Sequence, residues 1–125
     1  MNVFLVDDDQ EDQEIFEMAV AETGALVNLK CFNSADSFLE HFKNSANILP
    51  DLLFLDLNMP RINGKDCLRI MAQDNLIEKI KVVVYSTSNS ENDISETKAI
   101  GAHHYLVKPT SFQYLVQSLK AFFVH

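Results

Sequence analysis

Four short apolar runs in this chain each end on reactive or charged side chains. Val3-Phe4-Leu5-Val6 runs into Asp7-Asp8-Asp9, and Leu52-Leu53-Phe54-Leu55 into Asp56. Val82-Val83-Val84-Tyr85 leads to Ser86-Thr87-Ser88, and Tyr105-Leu106-Val107 to Lys108-Pro109. Runs this short and this continuous mark strands buried on both faces, as in a parallel sheet. Longer segments of helical spacing separate them, and strict β-α alternation implies helices on both faces of that sheet. Open sheets of this kind bind ligands beyond the carboxyl ends of their strands. Acids, hydroxyls and one lysine therefore converge on one edge.

Strands are expected at 2–6, 27–32, 51–55, 81–86 and 104–107, and helices near 10–23, 35–46, 64–74, 90–100 and 111–123. In the first helix Ile15, Phe16, Ala19 and Val20 share a face; in the last, Leu115, Val116, Leu119, Phe122 and Phe123 do so. Gly24 and Gly101 follow helical segments where a left-handed cap favours glycine. Ser34 and Asn63 precede others as N-caps. Val27-Asn28-Leu29-Lys30-Cys31-Phe32 alternates more than its counterparts, the pattern of an edge strand.

With 125 residues, 47% of them hydrophobic, the chain suits one domain over 1–125, without room for a separate DNA-binding or catalytic domain. No apolar stretch approaches the roughly 20 residues that span a bilayer. The first strand begins directly after Met1, so a signal peptide is not expected and a cytoplasmic location is. A net charge of −8 and a pI near 4.8 argue against nucleic acid and an anionic membrane surface as partners. Cys31 and Cys67 are too few for a disulfide scaffold and read as reduced thiols.

Asp9, Glu11, Asp12 and Glu14 are accounted for by a helix N-terminus, which favours negative charge. Asp7, Asp8 and Asp56 are not. Acids at adjacent strand exits repel unless a cation lies between them, and a half-buried carboxylate without a partner raises its own pKa. Mg²⁺ takes a few protein oxygens, keeps several waters and leaves room for a phosphoryl group. Three carboxylates, one such ion and the Lys108 ammonium are formally neutral together.

These motifs resemble the receiver domain of two-component response regulators over essentially the whole chain. The resemblance rests on Asp7-Asp8, on Asp56-Leu57-Asn58-Met59-Pro60 with Gly64, on Tyr85-Ser86-Thr87-Ser88, and on Gly101 through Pro109. It implies an α/β fold: a doubly wound, five-stranded parallel sheet of flavodoxin-like order 2-1-3-4-5. By resemblance, Asp56 takes a phosphoryl group from a histidine kinase or phosphotransfer protein. Asp8, Asp56 and the Asn58 main-chain carbonyl bind Mg²⁺, with Asp7 acting through a bound water. Lys108 and Ser86 contact the phosphoryl group, and Tyr105 is the switch aromatic. Thr87 departs from the small residue usual after the switch hydroxyl and bears on access to that group; Asn58 and Ser88 lie where the family sets the lifetime of the phosphorylated form. The resemblance also suggests a cis Lys108-Pro109 bond.

The chain is expected to act as a stand-alone receiver, since no output domain follows His125. Its signal would pass through the surface of the fourth helix, fifth strand and fifth helix to a downstream protein or a second copy. A receiver-fold module indifferent to phosphorylation is the alternative, but it has no reason to keep a self-repelling acid cluster. A phosphatase acting through an aspartyl phosphate usually needs a second acid two residues past the nucleophile, where Asn58 stands. His103 and His104, adjacent in a strand, point to opposite faces and cannot readily chelate one ion.

Overall fold

The computed structural model describes residues 1–43 and 48–124. Ten elements alternate: β1 (Asn2–Val6), α1 (Gln10–Glu22), β2 (Asn28–Phe32), α2 (Ala35–His41), β3 (Leu52–Leu55), α3 (Gly64–Gln73), β4 (Lys81–Ser86), α4 (Glu91–Ile100), β5 (His104–Val107) and α5 (Phe112–Phe123). All strand pairs are parallel, in the order β2-β1-β3-β4-β5. The expected α/β architecture is the observed one.

Strand residues alternate between two cores, as the two-residue period of a strand requires. Val3, Leu5, Leu52, Phe54 and Val83 meet Phe16, Ala19 and Val20 of α1 and Leu115, Val116 and Leu119 of α5. Phe4, Val6, Leu53, Leu55, Val82 and Val84 meet Phe38 of α2 and Cys67, Leu68 and Met71 of α3. β2 and β5 are the edges, and both are less buried than the three central strands. Phe122 and Phe123 are partly buried against the first core, where Phe122 packs edge-on to Phe54.

Three local expectations change. Ile15 is 43% exposed, and the inner face of α1 is instead built on Gln13, Phe16, Ala19 and Val20, because a helix centred on Phe16 turns residue 13 inward and residue 15 out. Helix α2 ends at His41 with Phe42 as its C-cap; residues 44–46 of the expected span lie outside the described residues. Among the described residues no peptide bond is cis, so Lys108-Pro109 is trans, the isomer X–Pro bonds prefer.

Side-chain caps set the helix starts. Asp9, Ser34, Asn63, Ser90 and Ser111 each accept a backbone N–H from the first turn of the helix that follows. At Gly101, the φ of 137° is one L side chains rarely adopt, and its amide closes α4 on the Thr97 carbonyl. Gly64 serves a different need. A Cβ there would collide with the Asp56 carbonyl oxygen and sit 2.6 Å from Leu57 Cα, while its amide donates to the Leu57 carbonyl at 2.9 Å. Glycine lets the start of α3 press against the backbone that carries Asp56.

Candidate functional site

Neighbouring strands explain why distant acids meet. Val6 pairs with Leu55, and the Asp56 amide donates to the Val6 carbonyl at 3.0 Å, so the next residue of each strand faces the other. Asp7 is fully buried and Asp56 nearly so, whereas Asp8 is exposed at the mouth. One carboxylate oxygen from each of the three lies within 4.8 Å of the others.

Lys108 arrives from beyond β4. Its amide donates to the Ser86 carbonyl at 2.7 Å, and its stem carries the ammonium back across the sheet edge, 5.2 Å from the Tyr85 ring centroid. The Nζ donates to Asp7 Oδ2 at 2.8 Å and Asp12 Oδ2 at 2.8 Å, and lies 3.7 Å from Asp56 Oδ1. The trans Lys108-Pro109 bond is sufficient to aim it.

Burial governs the electrostatics. It pushes the Asp56 carboxyl up to about 6; the Lys108 charge pulls it down and the Asp7 charge adds to the rise. Burial also raises Asp7, outweighing its hydrogen bonds from Lys108 and from the Asp9 amide. For Lys108 burial alone would lower the pKa, but the hydrogen bonds to Asp12 and Asp7 hold it above the ordinary lysine value. The ammonium stays charged beside two carboxyls, Asp7 and Asp56, that resist ionising. Oxygen donors at this spacing, two of them desolvated and mutually repelling, suit a hard divalent cation: Asp7, Asp8 and Asp56 could hold one.

Two residues here were not picked out from the sequence. Asp12, taken as an ordinary first-turn acid, is a partner of Lys108. Gln13 is buried and donates to the Asp7 carbonyl at 2.6 Å and to Asn33 Oδ1 at 2.7 Å, pinning the β1–α1 turn to the β2–α2 turn. A glutamine at an inward position of an amphipathic helix was the available signal, since buried amides need partners.

On the far side of Asp56, Ser86 is buried and its Oγ accepts from the Ser88 amide at 3.2 Å. The Ser88 carbonyl accepts from the Tyr105 hydroxyl at 2.8 Å, and the Ser88 hydroxyl donates to Asp93. Asp93 Oδ1 holds Lys65 Nζ at 2.7 Å, and Lys65 also reaches Glu96 at 2.9 Å. This network ties the β4–α4 loop and α4 to α3. Thr87 and Asn58 are exposed; Asn58 lines an open groove of about 450 Å³ with Leu57, Met59, Asn63, Lys65 and Asp93. His103 and His104 part as expected: His103 Nδ1 accepts from the Val82 amide at 3.0 Å, and the His104 ring packs against Phe122.

A sequence profile of the response regulator receiver domain matches residues 3–120, and the chain belongs to that family of two-component signalling modules. Response regulator Rcp1 of Synechocystis is 29% identical, the match covering 98% of this chain and 88% of that protein. The probable methanogenesis regulatory protein FilR2 of Methanothrix harundinacea is 29% identical over 98 residues, and the match covers 78% of this chain and 63% of FilR2. This chain thus spans less than two thirds of FilR2. Among solved structures, the phosphorylated cyanobacterial phytochrome response regulator RcpA superposes with a TM-score of 0.86 at 26% identity, over 97% of this chain and 89% of its own. The Mn(2+)-bound form of Rcp1 gives 0.83 at 22% identity, over 97% and 90%, and bears on the fold alone. No helix among the described residues is long and apolar enough to cross a membrane.

Proposed function

We propose that this receiver, one unit over residues 1–125, takes a phosphoryl group onto Asp56 from the phosphohistidine of a sensor kinase or phosphotransfer protein. The observation that carries this reading is the seating of Asp56: a desolvated carboxylate at a strand end, 3.7 Å from an ammonium and beside two further acids. An oxygen of Asp56 bonds to phosphorus as the nitrogen–phosphorus bond breaks, and the electron pair stays on the imidazole. Such transfers pass through a loose transition state, so catalysis consists of positioning and charge stabilisation. Lys108 supplies a fixed positive charge at the equatorial oxygens.

Asp8, Asp56 and the Asn58 main-chain carbonyl would hold Mg²⁺, with Asp7 contributing through a bound water. When bound, that ion offsets the charge of the acids and of the transferring group. The sequence relative Rcp1, 29% identical, has a Mn(2+)-bound form and RcpA a phosphorylated one, which supports both parts of the reading. Ser86 accepts a hydrogen bond here but retains a proton to donate. Donated to a phosphoryl oxygen, that proton draws Ser86 inward, moves Ser88 with it, and alters what Tyr105 holds. Thr87, exposed beside Ser86, tunes access. The outcome is a changed α4-β5-α5 surface, read by a downstream protein or a second copy in the cytoplasm. An interaction module indifferent to phosphate gives no account of two buried acids sharing one lysine.

Incubation with Mg²⁺ and acetyl phosphate tests this directly by intact mass. One hydroxylamine-labile phosphoryl adduct is expected on the wild type and none on Asp56→Asn. An unmodified wild-type mass, where a control receiver is labelled, would sink the proposal.

A further inference from the structure

Asp12 lies in the first turn of α1, yet the cap of that turn belongs to Asp9, whose Oδ1 accepts the Asp12 amide at 3.1 Å. The Asp12 carboxylate is free to point elsewhere, and it accepts from Lys108 Nζ at 2.8 Å, across 96 residues of chain. Asp7 takes a second N–H at 2.8 Å. An ammonium has three donors. The third has no bonded partner at Asp56, because 3.7 Å exceeds hydrogen-bond length.

We propose that Asp12 is a positioning residue for phosphoryl transfer, holding the Lys108 ammonium back from Asp56 so that the nucleophilic oxygen stays uncapped. The proposal rests on Asp56 being the phosphoacceptor. A carboxylate oxygen that accepts a charged hydrogen bond has its lone pair engaged and attacks phosphorus less readily. With Asp12 absent, the strongest attraction left to the ammonium beyond Asp7 is Asp56, and closing the gap by about 1 Å makes a full ion pair there. With Asp12 present, two donors are fixed and the third waits for a phosphoryl oxygen.

The competing account has the opposite sign. Asp12 also places a negative charge near an anionic phosphodonor, so if it acted by charge alone its removal would speed transfer. Asn keeps a side-chain acceptor without the charge, which separates the two accounts.

The experiment measures initial labelling rates with Mg²⁺ over a range of acetyl phosphate concentrations, for wild type, Asp12→Asn, Asp12→Ala and Asp56→Asn. In the step, the Asp56 oxygen–phosphorus bond forms, the phosphorus–oxygen bond to acetyl breaks, and acetate leaves with the electron pair; Lys108 keeps its protons. Asp12→Ala should lower the limiting rate about tenfold with little change in the half-saturating concentration, and Asp12→Asn should recover to within about threefold of wild type. In metal-free, ¹⁵N-lysine-labelled protein, the Lys108 ammonium resonance should keep its chemical shift in Asp12→Asn and be displaced in Asp12→Ala, where the ammonium pairs with Asp56 instead.

Equal or faster labelling of both variants overturns the proposal, as does equal slowing of both, or an unchanged Lys108 resonance in Asp12→Ala. A wild type that takes no label overturns this inference and the phosphoacceptor reading together. A labelled wild type with an unaffected Asp12→Ala overturns this one alone.

Discussion

Two lysines, Lys108 and Lys65, are each gripped by two carboxylates, and their surroundings give them different work. Lys108 sits 2.8 Å from Asp7 and 2.8 Å from Asp12, with its own side chain 11% exposed and Asp7 fully buried. Lys65 sits 2.7 Å from Asp93 and 2.9 Å from Glu96, and the three side chains are partly open to solvent, 23%, 25% and 36% exposed. The contact geometry is nearly the same. The acids nevertheless shift in opposite directions: burial raises Asp7 and Asp56, whereas the hydrogen bond from Lys65, with that from the Ser88 hydroxyl, lowers Asp93, and Lys65 likewise lowers Glu96. Water decides the sign. Where it is excluded, the ion pair fails to offset the desolvation of its acids, and the carboxyls stay raised. Where it is present, the same pairing fastens one loop to the next helix.

Removing the buried cation should have the largest effect. Lys108→Met keeps the aliphatic stem and deletes the charge, leaving Asp7 and Asp56 with backbone N–H donors but no cation. At neutral pH the variant should lose about 3 kcal/mol of unfolding free energy, read by urea denaturation, since breaking a buried pair strands a charge. Labelling by acetyl phosphate should fall about a hundredfold or more. The stability loss should shrink at pH 4.5, where the stranded carboxyls protonate. A loss that is the same at both pH values would mean that Lys108 acts by packing alone.

The pH dependence of the metal-free protein is the next largest effect. Asp56 has a folded pKa of about 6 against an ordinary value of 3.8, so the folded state binds its proton more tightly than the unfolded state. That contribution is complete below the ordinary value and is lost as pH rises through about 6. Wild type measured against Asp56→Asn should therefore fall by about 2 kcal/mol between pH 4 and pH 7, allowing for solvent at the site mouth. The raised Asp7 acts in the same direction, and because its charge adds to the rise of Asp56 the difference reports the coupled pair. Mg²⁺ should recover most of the loss at pH 7.5 and little of it at pH 4.5. A difference that rises with pH would reverse the assignment of burial as the dominant cause.

Which of these features could be read from the sequence follows from the kind of interaction each one is. Strand-end residues were legible because apolar runs fix where a strand stops, and parallel pairing then places Asp7 beside Asp56 without further information. Gly64 was legible only as part of a motif; its reason, contact with the Asp56–Leu57 backbone, needs coordinates. Asp12 and Gln13 were missed in different ways. The helix-dipole account of a first-turn acid is locally adequate, and nothing near residue 12 shows that residue 108 will come within reach. Gln13 could have been found, because Gln13, Phe16 and Val20 share the helical spacing that puts them all inward. Ile15 misled because a hydrophobic residue one position off the inner face looks the same in a period count. The Lys65 network lies outside this kind of legibility altogether, since long charged side chains on two helices pair only once α3 and α4 are placed side by side.

The smallest effect is expected at that second lysine, and it is the sharpest check on water as the deciding factor. Lys65→Met is the same chemical change as Lys108→Met, made where solvent can hydrate what is left behind. Its melting temperature should move by about 2 °C or less, because pairs that solvent reaches contribute little after side-chain entropy and screening. The wild-type protein in high salt should lose the same small amount, since ions screen this pair and leave the buried one nearly untouched. Labelling at Asp56 should proceed at close to the wild-type rate, because no atom of Lys65 is needed at the phosphoryl group. The loop should respond instead. Freed from Lys65, Asp93 keeps only the Ser88 hydroxyl, and amide exchange at Ser88 and Ser90 should quicken while exchange in β1 and β3 stays as it was. If Lys65→Met cost as much stability as Lys108→Met, or slowed labelling to a similar degree, burial would not be what separates the two lysines, and the different pKa directions of their acids would need another cause.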